Sequence, residues 1–242
     1  MVEKMKKNLL IIAAGPDALF QEWGEYKDYD FDVAIIRWGD FDLKNIEDAA
    51  YYESITGYKF HIIDKFRKKH DISQYEYIWC LDDDCISTWD LVEETFKFMK
   101  DENLDMAQPA LEPSGCWAWE QTKCVLGSKM RISDCVEIMA PIFSQRAWQV
   151  CCDDILEKLP FGAGYYLEGY WKAKLESHTG TTKFGGRVAI IDRLPVYHTK
   201  PATSPAEWAA RGLDAGADGR YLVAELGYQL EWNILETIPD HD

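Results

Sequence analysis

Three consecutive carboxylates, Asp82, Asp83 and Asp84, follow directly after the apolar run 75–81 (YEYIWCL). Like charges placed side by side repel and raise one another's pKa, so this grouping calls for a compensating cation. Mg²⁺ and Mn²⁺ prefer oxygen ligands, and one or two carboxylates hold them together with substrate phosphates. The triplet therefore predicts a Mn²⁺ or Mg²⁺ site that serves a nucleoside diphosphate substrate.

Three other interpretations of the triplet can be weighed from the residues around it. It could be a solvated turn that caps a helix near Trp89. An EF-hand loop starting at Asp82 is excluded, because Ser87 replaces the required glycine and Ile86 replaces a ligand. A phosphatase with an Asp-x-Asp nucleophile remains a lesser alternative, since such a site should open the chain and here three predicted strands come first.

The triplet lies within an alternation of predicted strands and helices. Continuous apolar runs predict buried strands at 8–15, 31–37, 75–81, 136–143 and 187–197, with a weaker candidate at 58–63 and an extended segment at 104–111. Helical spacing predicts a helix over 89–100, and Ser144 is predicted to cap a helix that runs to about residue 159. This pattern predicts an α/β fold with a mostly parallel central sheet flanked by helices, in which ligands bind at the carboxyl ends of the strands.

Length, net charge and aromatic content limit the number of domains and the kinds of ligand that we expect. The 242 residues fit one domain, 1–242, with a helical extension from about residue 204 that opens on the capping box Ser204-Pro205-Ala206-Glu207. The 26 basic against 42 acidic residues give a net charge of -16, which disfavours binding to nucleic acid or to an anionic membrane. Aromatic residues make up 14% of the chain, and their flat faces are surfaces on which sugars and bases stack.

The apolar run 9–14 is too short for a membrane-spanning helix, so no transmembrane segment is predicted. The seven cysteines lie between Cys80 and Cys152 without a C-x-x-C pair, which favours neither a zinc site nor a disulfide framework. We therefore expect a cytoplasmic protein.

Four motifs occur in the order and spacing of a known family. They are YEYIWCLDDD at 75–84, AQPAL at 107–111, VEIMAPIFS at 136–144 and PVYHTK at 195–200. In these the chain resembles the DUF707 family of glycosyltransferases, whose fold belongs to the GT-A class. The resemblance extends from about residue 8 to residue 200. It implies a GT-A-like enzyme that uses a nucleoside diphosphate sugar and an Asp-x-Asp metal motif.

The resemblance also implies roles for individual residues. Asp82 would face the ribose of the nucleotide and also belong to the metal site, Asp84 would hold the metal, and Asp83 could serve either. His198, after the last strand, would be a further metal ligand, although a lone histidine there is more often structural. Lys200 would reach the diphosphate, unless it is simply a solvated lysine.

Two further basic residues are candidate contacts of the nucleotide or its phosphates. Arg37 lies at the end of the second predicted strand, and Lys59 lies in the weak strand candidate 58–63.

An inverting sugar transfer needs a base for the proton of the acceptor hydroxyl. Glu168 is the candidate, because it follows the Gly-rich segment 162–167 where the family has an acidic turn; the alternative is a carboxylate favoured by a helix N-terminus. Glu137 would be buried inside VEIMAPIF and would need a partner. Candidates for a sugar-stacking surface, each of which could equally be packing, are Trp117, Trp119, Tyr165, Tyr166 and Trp171.

The sequence thus predicts a metal-dependent, inverting glycosyltransferase that moves a sugar from a nucleoside diphosphate donor to a carbohydrate or other hydroxyl acceptor. Two alternatives stay open at this point. One is an inactive carbohydrate- or nucleotide-binding protein with the same fold, and the other is a nucleotidyltransferase that uses the same acidic pair.

Overall fold

The structure is a computed structural model that describes residues 6–179, 187–227 and 231–240. Its strands are β1 Asn8–Ala14, β2 Asp32–Arg37, β3 Tyr51–Ser54, β4 Tyr77–Asp82, β5 Cys85–Ile86, β6 Leu104–Leu111, β7 Ser128–Ser133, β8 Ile142–Ser144, β9 Arg187–His198 and β10 Ile234–Pro239. Its helices are α1 Lys59–Lys69, α2 Trp89–Asp101, α3 Gln145–Cys151, α4 Leu167–Thr179, α5 Pro205–Ala210 and α6 Gly216–Leu226. Short 3₁₀ turns lie at Leu19–Glu22, Glu120–Thr122 and Leu156–Lys158.

One sheet organises the molecule, with the strand order β10-β7-β9-β6-β8-β4-β1-β2-β3 and β5 paired to β9 outside that order. The ladders β3-β2-β1-β4 and β6-β9 are parallel, and β7 and β8 run against the other strands of the order. The predicted α/β fold with a mostly parallel central sheet is confirmed.

The core has two parts, one on each face of the sheet. In β1, Leu9 and Ile11 pack on the face that carries α1, α3 and α4, whereas Leu10 and Ile12 pack on the face that carries α2. Successive side chains of a strand point to opposite faces, so a strand covered on both sides needs a continuous apolar run. This explains why β1, β2 and β4 are so readily predicted from the sequence.

Two predicted strands differ from the structure. The strand candidate 58–63 is wrong, because these residues begin helix α1, whose buried Phe60, Ile63 and Phe66 recur at helical spacing. Of the predicted strand 136–143, only the end joins the ladder, as β8. The carbonyl groups of Met139 and Pro141 still accept hydrogen bonds from β4.

The C-terminal part contains the predicted helices and also a strand. Ser204 caps α5 through the predicted capping box with Glu207, and α6 follows. β10 then joins the sheet beside β7. In the part of the chain that the structure describes, no helix is both long and apolar enough to cross a bilayer.

Candidate functional site

The acidic triplet lies at the carboxyl end of β4. Asp82 is the last residue of that strand, and the chain turns at Asp83 and Asp84 into the short strand β5. β5 pairs with the end of β9, where Cys85 lies opposite His198. This pairing places the end of the last long strand next to the triplet, so residues more than a hundred positions apart in the sequence meet at one edge of the sheet.

Asp84 and His198 are in direct contact. The Nε2 atom of His198 is 3.2 Å from Oδ1 of Asp84, and its Nδ1 atom is 3.1 Å from the carbonyl oxygen of Cys116. A carbonyl can only accept, so Nδ1 carries a proton and Nε2 is the nitrogen that faces the carboxylate. Burial lowers the pKa of His198, but the hydrogen bond with Asp84 and the charges of Asp84 and Asp82 outweigh it and raise that pKa above its ordinary value.

Lys59, at the start of α1, is the partner of Asp82. Its Nζ atom donates to Oδ1 of Asp82 at 2.6 Å and to the carbonyl oxygens of Cys80, Ile138 and Met139 at 3.1, 2.7 and 2.7 Å. These four acceptors engage all the N–H donors of the ammonium group. Lys59 therefore fixes the end of β4 to the segment around Ile138.

Asp83 points the other way, towards the end of β1. Its Oδ2 accepts a hydrogen bond from the backbone N–H of Gly15 at 2.5 Å. Burial raises the pKa of Asp83 to about 6, although the bond from Gly15 opposes this. A Cβ atom at Gly15 would lie 3.0 Å from Oδ2 of Asp83 and 2.9 Å from the ring of Trp38, so the lack of a side chain favours the close approach.

A cavity of about 840 Å³ opens beside the triplet. Its volume lies within the range of small-molecule sites. The ionisable and aromatic residues of its lining are Lys59, Asp82, Asp84, Glu137, Glu168, His198, Tyr58, Trp119, Tyr165, Tyr166 and Trp208. Five residues predicted for the site, namely Asp82, Asp84, His198, Lys59 and Glu168, thus line one cavity.

The structure places the other predicted contacts outside this lining. Arg37 donates to the carbonyl oxygen of Phe41 at 2.6 Å, beyond the end of β2. The charge of Lys200 opposes the rise in the pKa of Asp83, and Lys200 does not belong to the lining of the cavity. Among the predicted stacking residues, Trp171 is fully buried in the core, whereas Trp119, Tyr165 and Tyr166 line the cavity.

Glu137 and Glu168 also line the cavity, and we refer to them as the carboxyl pair. Their exposed fractions are 7% and 4%, and in each the Oε2 atom is buried without a hydrogen-bond partner. Burial raises the pKa of Glu137 to about 7 and that of Glu168 to about 8. The charge of Glu137 adds to the rise at Glu168, and backbone hydrogen bonds, one from Ile138, oppose it. A carboxyl group with a pKa near neutrality is suited to proton transfer.

A tight turn presents Glu168 to the cavity in the first turn of α4. Asp218, fully buried in α6, holds that turn: its Oδ1 accepts from the N–H groups of Phe161 and Gly162 at 2.7 and 3.1 Å, and its Oδ2 accepts from Gly164 at 2.8 Å. Gly162 and Gly164 have φ values of 83° and 90°, a region that favours glycine. The position of Glu168 thus depends on a residue of the C-terminal part.

The C-terminal part also closes one side of the cavity with an aromatic cluster. Tyr58 stacks on Phe161 with 4.0 Å between ring centroids, and Trp208 of α5 packs edge-on against both. Trp208 Nε1 donates to the hydroxyl of Tyr165 at 3.1 Å, and that hydroxyl donates to the carbonyl oxygen of Thr203. Neither Asp218 nor Trp208 carried a signal in the sequence, because their partners lie far away along the chain.

Asp84 and His198 fit a divalent cation as a pair of ligands. Oδ1 of Asp84 and Nε2 of His198 lie 3.2 Å apart, so the two atoms could both bind one ion. The bond to Cys116 also leaves Nε2 of His198 as the nitrogen for the ion. Asp82 is engaged by Lys59 instead, and in the described residues no three His, Cys, Asp or Glu side chains are arranged to hold a metal. The remaining ligands would come from substrate phosphates and water.

No protein-family model matches the chain, and no curated protein does either, so membership of the DUF707 family stays a prediction. The fold is nevertheless shared with solved structures. TarS from S. aureus (residues 1–349) superposes with a TM-score of 0.56 at 13% identity, over 93% of this chain and 67% of that one. Its complex with UDP-GlcNAc gives a TM-score of 0.54 at 11% identity, over 93% of this chain and 68% of that one.

GalNAc-T7 in complex with UDP, GalNAc and Mn²⁺ superposes with a TM-score of 0.54 at 11% identity, over 82% of this chain and 44% of that one. The chain therefore spans about two thirds of the TarS segment and less than half of GalNAc-T7. Both neighbours are GT-A glycosyltransferases, and identities this low establish the fold alone. The chain has the GT-A fold, as its sequence predicts.

Proposed function

We propose that the protein is a metal-dependent glycosyltransferase that moves a sugar from a nucleoside diphosphate to a hydroxyl acceptor, with inversion at the anomeric carbon. The observation that carries this proposal is a cavity at the carboxyl ends of the strands of a GT-A fold that Asp84, His198 and Glu168 line together. The bound UDP-GlcNAc of TarS makes UDP-GlcNAc the first donor to test.

The donor side consists of the triplet and its partners. Asp84 and His198 would hold Mn²⁺ or Mg²⁺, which when bound neutralises the charge of the diphosphate. Asp82, oriented by the 2.6 Å contact with Lys59, accepts a hydrogen bond from the ribose of the nucleotide. Lys59 acts through Asp82 rather than on the phosphates, because its ammonium group already has four protein acceptors.

The acceptor side is the carboxyl pair. Glu168 accepts the proton of the acceptor hydroxyl as its oxygen forms a bond to the anomeric carbon. The bond from that carbon to the diphosphate oxygen breaks at the same time, and the nucleoside diphosphate leaves with the electron pair. Attack from the face opposite the leaving group inverts the configuration. The raised pKa of Glu168, about 8, makes it a strong proton acceptor once it is ionised.

Thermal unfolding with nucleotides tests the donor side. We expect UDP or UDP-GlcNAc at about a hundredfold excess over its Kd to raise the Tm by roughly 5 to 10 °C in the presence of Mn²⁺. The shift should be absent with EDTA, and adenosine should give none under either condition. Equal stabilisation with EDTA would contradict metal-dependent binding. Release of UDP on addition of an acceptor, followed by NMR of the product anomer, separates transfer with inversion from binding without turnover and from cleavage between the phosphates.

A further inference from the structure

Each residue of the carboxyl pair has a buried carboxyl oxygen without a hydrogen-bond donor in the part of the chain that the structure describes. Glu137 and Glu168 are 7% and 4% exposed, and the Oε2 atom of each is buried without a hydrogen bond among the described residues. Leaving a buried acceptor unsatisfied costs about 1 to 3 kcal/mol, more if the group is charged. Both side chains line the cavity, so a ligand in the cavity can supply the missing donors.

The two cationic side chains of the cavity lining contact Asp82 and Asp84. Lys59 is bound to Asp82 and to three carbonyl oxygens, and His198 is bound to Asp84 and Cys116. Within the described lining of the cavity, these two are the cationic side chains. Among the described residues, four acidic side chains and two cationic side chains thus line the cavity, and Glu137 and Glu168 are the acidic side chains that do not contact either cation.

Aromatic side chains share the lining of the cavity with the carboxyl pair. Tyr58, Tyr165 and Trp208 line the cavity on the side formed by the C-terminal part, and Trp119 lines it as well. Aromatic faces attract ammonium groups through the ring quadrupole, and they attract most strongly where water is excluded. A lining with two buried carboxyl groups and aromatic rings is therefore more complementary to an amine than to a neutral hydroxyl.

We propose that the acceptor is an amino alcohol or amino sugar, whose ammonium group binds Glu137 while a neighbouring hydroxyl faces Glu168. The inference rests on the proposed function and names the class of its acceptor. It also assigns Glu137 as the residue that sets the specificity for that acceptor.

An amine on the acceptor also supports the chemistry. Glu168 has to lose its proton before it can accept one, and burial holds its pKa at about 8. A positive charge bound between the two carboxyl groups favours their ionised forms and so lowers both pKa values. Binding of the acceptor would then promote the ionisation of Glu168, its general base, whereas the carboxyl pair would remain protonated in the empty cavity.

Two pairs of probes that differ by one amine test the inference. They are D-glucosamine against D-glucose, and 2-aminopropane-1,3-diol against glycerol. Binding to the full chain would be measured by ligand-observed NMR titration at pH 7 with UDP and Mn²⁺ present. We expect each amine to bind at least about tenfold more tightly than its hydroxyl partner, a difference of 1.4 kcal/mol.

Two variants locate the preference. Glu137→Gln should bring each amine to the affinity of its hydroxyl partner, whereas the exposed helix residue Glu94 gives a matched control, Glu94→Gln, that should keep the full preference. Equal binding within both pairs in the wild-type chain overturns the inference, and this comparison needs no variant to fold. A preference that survives Glu137→Gln also overturns it. In either case, retained stabilisation by UDP and Mn²⁺ shows that the proposed function stands, whereas loss of that stabilisation in the wild-type chain is a failure of the proposed function itself.

Discussion

Two acidic regions line the same cavity, and they differ in the partners of their carboxyl groups. In the triplet, Asp82 has Lys59 at 2.6 Å and Asp84 has His198 at 3.2 Å. In the carboxyl pair, Glu137 and Glu168 each leave a buried oxygen without a partner. Burial raises the pKa of Asp82 as it raises those of Glu137 and Glu168, so the contrast between the two regions lies in their partners.

This difference suits the two regions to two different roles, the binding of charge and the transfer of a proton. Carboxyl groups that each contact a cationic side chain form a fixed arrangement that can hold a cation and, through it, a diphosphate. An unpaired, buried carboxyl group is sensitive to whatever enters the cavity, and its raised pKa places the proton change near neutral pH. The backbone connects the two regions. Lys59, the partner of Asp82, also donates to the carbonyl oxygens of Ile138 and Met139, which follow Glu137 in the chain.

The sharpest test of the difference is Glu168→Gln. Glutamine keeps the size and hydrogen bonding of the side chain but cannot accept the proton, so kcat should fall by roughly 10² to 10⁴. Stabilisation by UDP and Mn²⁺ should be unchanged, since the donor side is untouched. In the wild-type chain kcat/KM should rise with pH towards about 8, and the variant should lack that rise. If Glu168→Gln retains wild-type activity, the two regions do not divide the work as described.

Asp84→Asn tests the opposite side. The change removes a ligand charge without altering shape, and the loss of several kcal/mol of charge stabilisation corresponds to a rate decrease on the order of 10³. Unlike Glu168→Gln, it should also abolish the stabilisation by UDP that depends on Mn²⁺. Asp90→Asn is the matched control, because Asp90 lies on the exposed side of α2 and accepts a hydrogen bond from Tyr29. Full activity of Asp84→Asn would place the metal elsewhere.

Asp218→Asn asks whether the C-terminal part positions the carboxyl pair. An asparagine amide can keep the contacts of one oxygen, but its NH₂ group would face an N–H group of Phe161, Gly162 or Gly164. The turn that presents Glu168 should loosen, and a shift of about 1 Å can cost up to about 10² in kcat. Donor binding should remain. The control is Asp214→Asn, which removes an exposed ion pair with Arg220. A rate equal to that of the control would show that Asp218 acts on stability alone.

The sequence predicts the parts of this site that follow strands. Asp82 to Asp84 come directly after a buried apolar run, and His198 ends another, so the placement of both at the carboxyl edge of the sheet follows from the pattern. The contact between Asp84 and His198 needs in addition the short strand β5, which is too brief to leave a periodic signal.

The positions of residues that depend on partners far away in the chain cannot be predicted from the sequence. Lys59 was predicted on a strand, because residues 58–63 taken alone do not show the helical spacing that appears only when Phe66 is included. Its bond to Asp82 spans 23 residues, and the bonds of Asp218 span 54 to 57. The segment 136–141 is as apolar as a strand, yet its carbonyl groups turn to Lys59 and β4. Such positions are fixed by tertiary contacts that no local pattern records.

The smallest effect expected is on stability, and it tests the state of Glu168 without any substrate. The native side chain has a pKa of about 8, whereas an unfolded glutamate titrates near 4.3. Between these values the native state holds a proton that the unfolded state has lost, so stability falls as pH rises and the loss is complete above the native pKa. Glu168→Gln removes this dependence. Without metal or nucleotide, the Tm of the variant relative to wild type should therefore increase by roughly 4 to 8 °C between pH 6 and pH 8. Glu94→Gln should show no such trend, since Glu94 is exposed in both states. Parallel Tm curves for Glu168→Gln and wild type would mean that Glu168 is already ionised at pH 6, and the contrast between a paired and an unpaired acidic region would not hold.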